Sequence, residues 1–210
     1  MKKIKGIILV LCLLLSFISM AQPAYAKKFD KAAAKKKISV TYKKTSNGIL
    51  AIYKNKNSTA VQLSATMRFL DGNKKDIQKE TKINYCLGGK STGTIFFQAP
   101  LDSYGNYVVY NSYKGSFSVN KSKYKNYSNK INISQELKVV EGIFTAVNMS
   151  GKNLSNIETT IVFYDGKDNI IGCKIKYLNC FEKNSIDQFS IDYVDNIIPA
   201  KAKVYINCAY

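Results

Sequence analysis

The chain has 210 residues, with 32 Lys or Arg against 14 Asp or Glu, a formal charge of +18, and neither histidine nor tryptophan. Without histidine, Ser-His-Asp and Cys-His nucleophile systems, His-ligated zinc and an imidazole pH switch are excluded, because each needs a nitrogen base that titrates near neutrality. Apolar residues at 46% and aromatics at 12% are enough for a packed core and exclude wholesale disorder.

Residues 1–26 read as a secretory signal peptide. Lys2, Lys3 and Lys5 form its basic start, residues 6–18 its apolar stretch and Ala24-Tyr25-Ala26 its small-residue cleavage site. The apolar stretch is short for a bilayer span, so a secreted, extracellular or cell-envelope-associated protein is expected. Every basic residue except Arg68 is a lysine, and Ile, Asn and Tyr are abundant. All are encoded by AT-rich codons, which suggests a Gram-positive bacterium. Residues 27–37 form a basic arm, helical over 30–37 where three alanines stand together.

The rest of the chain contains an internal repeat. Gly48 and Gly142 are 94 positions apart, and the same offset carries Phe69-Leu70-Asp71-Gly72 onto Phe163-Tyr164-Asp165-Gly166 and Cys86 onto Cys180. Upstream, Ile38-Ser39-Val40 aligns with Ile131-Asn132-Ile133; downstream, Val108 and Asn111 align with Val204 and Asn207. Val61, Leu63, Ala65, Met67 and Phe69 alternate with polar residues, as do Ile157, Thr159, Ile161 and Phe163, the pattern of a strand with one buried face. A second alternating run follows in each copy: 77–85, and then Ile171, Cys173, Ile175 and Tyr177, with Lys174 and Lys176 outward. The Asp-Gly pairs between these runs suit hairpin turns. Further strands are expected at 38–42, 49–53, 94–98 and 107–113, with partners at 131–134, 143–147, 188–193 and 203–210. The expected fold is all-β, two tandem antiparallel β-sandwich domains over 38–119 and 131–210, joined by an exposed linker at 120–130.

These residues resemble the FxLYD domain, an immunoglobulin-like extracellular β-sandwich of secreted bacterial and archaeal proteins. The likeness rests on Gly142-Ile143, on Val147-Asn148-Met149-Ser150 and on Ile161-Val162-Phe163-Tyr164-Asp165-Gly166. In the first copy Leu70 replaces the tyrosine and Asn55-Lys56-Asn57-Ser58 is a looser form of the turn. The resemblance implies a fold and an exported location, and it brings no catalytic residues.

No catalytic, cofactor or metal site emerges. Gly89-Lys90-Ser91 looks like the end of a phosphate-binding loop but lacks its first glycine and the helix that should follow. Asp165-Gly166-Lys167-Asp168-Asn169 does not match the calcium-loop spacing. Cys86, Cys173, Cys180 and Cys208 contain no C-x-x-C pair; by alternation Cys173 and Cys208 point inward and could form a disulfide, with buried free thiols the alternative.

Charge is uneven. Residues 27–127 hold 20 basic and 5 acidic residues, and 128–210 hold 9 of each. Lys27, Lys28, Lys31, Lys35, Lys36, Lys37, Lys43 and Lys44, with Lys121, Lys123 and Lys125 of the linker, are the candidate contacts for a polyanion. The expected function is therefore a noncatalytic extracellular interaction module held on an anionic wall polymer or membrane surface, with nucleic acid not expected as a partner. The alternatives are an accessory module that takes a protein partner at a sheet edge or face of the second domain, and a small hydrolase acting through carboxylates.

Overall fold

The structure, a computed structural model, describes residues 28–210, with only the backbone of Cys208. The expected export signal lies outside these residues. One short helix, α1 (Lys31–Lys36), precedes twelve strands. The first six are β1 (Ile38–Thr45), β2 (Gly48–Asn55), β3 (Val61–Leu70), β4 (Asp76–Leu87), β5 (Thr92–Gln98) and β6 (Ser112–Lys121). The second six are β7 (Ile131–Leu137), β8 (Glu141–Asn148), β9 (Leu154–Tyr164), β10 (Ile170–Phe181), β11 (Ile186–Asp192) and β12 (Lys201–Ala209). The fold is all-β and every ladder is antiparallel.

The strands form four three-stranded sheets: I (β1-β2-β5), II (β4-β3-β6), III (β7-β8-β11) and IV (β10-β9-β12). Strand order in III repeats that in I, and IV repeats II. Sheets III and IV face each other across Phe144, Ala146, Ile157, Ile161 and Phe163. Sheets I and II do the same, with the Tyr53 ring edge-on to Phe117 at 5.6 Å. The seam between edge strands β1 and β6 is closed by buried Ala34 of α1, by Lys35 Nζ 5.2 Å from the Phe117 ring, and by Tyr42 edge-on to Tyr113 at 6.2 Å. Gly115 admits the Tyr42 ring, which a Cβ there would overlap.

Burial separates inner from outer sheets. Along β3 and β8 buried positions alternate with half-buried ones, the signature of one covered face. Along β5 the five residues Gly93, Thr94, Ile95, Phe96 and Phe97 are all buried, and so are Thr159, Thr160, Ile161, Val162 and Phe163 of β9. Sheets I and IV are covered on both faces because they pack on each other: Leu50, Phe96, Val162 and Cys173 form a buried cluster flanked by Ile52, Ile175 and Tyr205. Residues 31–210 thus make one compact unit of four layers, II-I-IV-III.

This packing corrects several expectations. Cys173, Ile175 and Tyr177 share the face of sheet IV that meets the first sandwich, opposite Val162, Thr160 and Glu158. Lys174 and Lys176 lie on the other face, with Lys176 Nζ 5.3 Å from the Phe189 ring, as Lys82 Nζ is 5.8 Å from Phe97 in the first copy. Of the expected strand at 107–113, residues 108–111 are loop; β6 begins at Ser112, opposite Leu70, as Lys201 begins β12 opposite Tyr164. Ser112 and Lys201, not Val108 and Val204, are therefore equivalent. Likewise Ile38 pairs with Asn55 and Ile131 with Asn148, so Gly142 is one residue out of step with Gly48. A one-residue shift exchanges the two faces of a strand. The expected linker begins inside β6, and Asn126 ties it down by donating to the Cys86 carbonyl while its own Oδ1 accepts the Ser128 N–H at 2.9 Å.

Asn55 and Asn148 hold each sandwich at the same place. Asn148 Nδ2 lies 2.9, 3.2 and 2.8 Å from the carbonyls of Lys152, Phe181 and Glu182, and its Oδ1 accepts the Ser150 N–H at 3.0 Å. Asn55 Nδ2 reaches the carbonyls of Thr59, Leu87 and Gly88 at 3.2, 3.2 and 2.8 Å, and its Oδ1 accepts the Asn57 N–H at 2.9 Å. One buried amide thus satisfies two turns at once. Asn148→Ala strands buried carbonyls and is expected to cost about 2 kcal/mol or more, read as a lower urea midpoint; Asn129→Ala, at an exposed position, is the control with no change.

Candidate functional site

The candidate lysines divide between two ends of the molecule. Lys56 N–H bonds the Lys37 carbonyl at 2.9 Å, Lys90 N–H bonds the Asn57 carbonyl at 2.9 Å, and Lys121 stands opposite Val61, itself opposite Leu87. The lysines of α1, Lys37, Lys56, Lys90, Lys121, Lys123 and Lys125 therefore gather at one end of the first sandwich. Lys56 and Lys90 are members that sequence reasoning missed, because only strand register brings them to α1. Lys43 and Lys44 are at the far end of β1, beside the Thr45 to Gly48 turn. There Lys44 Nζ lies 4.9 Å from the Tyr110 ring, and Lys43 and Lys44 line a cleft of about 430 Å³ with Ile52, Tyr164, Asp168 and Ile170. Lys28 precedes α1 at an exposed position, and Lys27 lies outside the described residues. The ion pairs formed among the described residues take up none of these lysines.

Cys173 is a free thiol rather than half of a disulfide with Cys208. The two residues are on β10 and β12, which flank β9, and face Val162 and Glu158 respectively. Two strand spacings, about 10 Å, exceed the ~7 Å Cα separation a disulfide spans. Burial among apolar neighbours raises the Cys173 thiol to about 12, so it is a packing group.

The acidic and glycine-rich turns serve the backbone. Asp165 Oδ1 accepts the N–H of Lys167 at 2.8 Å and of Asn169 at 2.9 Å, and Asp71 receives Asn73 and Lys75 in the same way. Bonds from Asn169 side chain and backbone hold the Asp165 carboxyl below its ordinary range. Positive φ falls on Lys74 and Asp168 rather than on Gly72 and Gly166. At Gly89 a Cβ would overlap the Ser58 carbonyl, so that glycine serves a close turn. Among the described residues, no group of three or more His, Cys, Asp or Glu is placed to hold a metal.

Two asparagines that the sequence did not single out join the sandwiches. Asn47 Nδ2 donates to the Cys173 carbonyl at 2.7 Å while its Oδ1 accepts the Cys173 N–H at 3.1 Å, as a neighbouring strand would. Asn207, in the bulge between Ile206 and Cys208, accepts the Thr94 N–H at 2.7 Å and hydroxyl at 2.9 Å, and donates to Thr160 Oγ1 at 2.8 Å. Its carbonyl takes Asn84 Nδ2 at 2.8 Å. Glu158 stands beside it, 3.3 Å from Asn207 Nδ2. The runs that lack alternation, 49–53, 94–97 and 160–163, were the available signal for this contact.

No family model and no curated protein matches this chain. Among solved structures it is similar to red sea bream transglutaminase at 12% identity and a TM-score of 0.29, over 87% of this chain and 31% of that one. It is also similar to a glycosyl hydrolase family 2 member from Bacteroides cellulosilyticus at 7% identity and a TM-score of 0.19, over 76% and 24%. The chain thus spans a third or less of either protein, and likeness at this level carries no argument about activity.

Burial raises the Glu158 carboxyl above its ordinary range, against the opposing influence of Asn207 and Lys82. Its contribution to stability is therefore complete below the ordinary carboxylate range and is lost as pH rises through the raised value. Glu158→Gln, which keeps the Asn207 contact and cannot ionise, is expected to match the parent urea midpoint in acid and to exceed it progressively toward neutrality. Asn207→Ala is expected to lower that midpoint by about 1–3 kcal/mol in stability, because the buried Thr94 and Thr160 groups lose their side-chain partner.

Proposed function

We propose that this chain is a noncatalytic, exported interaction module of two FxLYD-like, immunoglobulin-like sandwiches, retained on anionic polymers of a Gram-positive envelope by the lysine end of the first. The single observation that carries the reading is the convergence of α1, the 56–57 turn, the 88–91 turn and the 121–125 segment on one end, each bringing lysine. Codon bias explains why these cations are lysines; it does not explain their segregation from the neutral half. Lysine ammonium groups suit repeated, loose phosphate contact rather than bidentate recognition of one group. The roles of Asn148 and Asp165, both in the motif that resembles FxLYD, support the family reading.

The proposal commits to a salt-sensitive interaction, since exposed charges more than about 8 Å apart are screened at physiological ionic strength. Deleting residues 27–44 would remove most of β1, so substitution is the cleaner test. The variant K31Q/K36Q/K121Q/K123Q changes exposed positions only. It is expected to bind purified wall polymer at low salt at least about tenfold more weakly than the parent, with an unchanged urea midpoint, while parental binding falls as salt rises. Equal binding by the variant overturns the reading. A protein partner is the second reading, favoured by edge strand β11 with Ile186 68% exposed; its capture would be insensitive to salt.

A further inference from the structure

The opposite pole carries a different surface. Strand direction brings the 46–47, 71–75 and 99–111 segments of the first sandwich to one end, and the 138–140, 165–169 and 193–200 segments of the second. The Asn47 to Cys173 pairing and a hydrogen bond of 2.7 Å from Ser46 Oγ to the Ile171 carbonyl put these two ends side by side.

Apolar side chains stand outward at the tips of these loops. Val139 and Val140 are each 76% exposed, Val109 87%, Tyr104 89%, Ile198 58% and Ile197 48%. The tips are built rather than frayed. The Tyr193 hydroxyl lies 2.6 Å from the Lys138 carbonyl and 2.8 Å from that of Glu141, fastening the β7-β8 tip to the 193–200 loop. Asp195 and Asn196 are both left-handed, at φ 54° and 56°, a conformation that short polar side chains tolerate better than others, and Ile197 and Ile198 follow at exposed positions. Asp102 holds the third loop by accepting the N–H of Tyr104 and of Asn106, each at 2.9 Å.

Charge at this pole is mixed, with Asp195 exposed two residues before Ile197. Asp71, Asp102 and Asp165 turn back onto the N–H groups of their own turns, and Asp168 pairs with Lys201. Lys43, Lys44, Lys74 and Lys167 lie outside every ion pair of the described residues. Separate convex tips of aliphatic and tyrosine side chains offer no single groove for a rigid partner. A fluid interface accepts such tips without matching their shape, favours tyrosine at its polar boundary and, when anionic, attracts a lysine collar.

We infer that this pole docks on an anionic lipid surface, with Val139, Val140, Ile197 and Ile198 entering the headgroup and acyl boundary. The inference uses residues distinct from the lysine end, so it stands or falls independently of polymer binding there.

Because the chain contains no tryptophan, one introduced tryptophan reports its own position without background. V140W and, at the other pole, N129W are placed in the full chain and mixed with vesicles of phosphatidylglycerol and phosphatidylcholine, or of phosphatidylcholine alone. All variants share one N-terminal segment, so a difference between positions belongs to the pole. The expected result is a blue-shifted V140W emission quenched by brominated lipid, stronger with phosphatidylglycerol, and an unchanged N129W. V139D/V140D/I198D, all at exposed positions and expected to keep the parental urea midpoint, should abolish that shift in a V109W background, whereas K31Q/K36Q/K121Q/K123Q should leave it intact. An unshifted V140W, a shift confined to N129W, or a shift in V109W that survives the aspartates overturns the inference. The first of these results would assign the pole to a protein partner.

Discussion

The architecture depends on a face that a single sandwich would leave in water. Sheets I and IV bury Leu50, Phe96, Val162 and Cys173 between them, and none of these residues belongs to the core of its own sandwich. Each sheet must therefore be apolar on both sides, which antiparallel sheets do when they lie inside a stack rather than at its surface. Polar groups set the register of this contact. Asn47 imitates a strand neighbour for Cys173, and Asn207 satisfies Thr94 and Thr160 together. An apolar face alone is non-directional; two asparagines with fixed partners fix where one sandwich sits on the other.

Duplication explains why this contact is used once. The counterpart of sheet I is III, and the counterpart of IV is II, so a simple repeat would present the same faces again. It does not. The outer face of β3 carries Gln62, Ser64, Thr66 and Arg68, where β9 carries Asn156, Glu158, Thr160 and Val162. The outer face of β8 exchanges Ile52 of the first copy for Thr145. What both copies retain is internal: the Asn55 and Asn148 amides, the Asp71 and Asp165 turns, and a lysine over Phe97 or Phe189 at the sandwich edge. The fold of each unit rests on those shared elements, and the differences between the copies are found on the surfaces.

Strand type and sheet content were legible in the sequence because outer strands such as β3 alternate with period two. The inner strands were readable only as strands. Their second apolar face looked like noise until a partner sheet covered it, and for the same reason Cys173 was assigned to the wrong core. Tyr107, Val108 and Tyr110 have strand-like side chains, yet 99–111 is a loop because Asp102 closes a turn and the alternation that pairs with β3 begins at Tyr113. Propensity gave way there to register. The lysine end was half visible: Lys31, Lys35 and Lys36 fall in one run, but Lys90 is 54 residues from Lys36 and joins them only through the Asn57 turn.

The side-by-side packing gives the molecule two chemically unlike ends, and this follows from strand direction alone. With β1 through β6 antiparallel, alternate loops return to the same pole, and the Asn47 contact forces the second sandwich to point the same way. Loops at one pole are short and meet α1 or the 121–130 segment; loops at the other include the 13-residue segment 99–111 and the left-handed turn at Asp195 and Asn196. A tandem joined by a free linker would average these surfaces over many orientations. Here Asn126, Asn47 and Asn207 remove that freedom, so whatever one pole binds is held at a fixed distance from whatever binds the other.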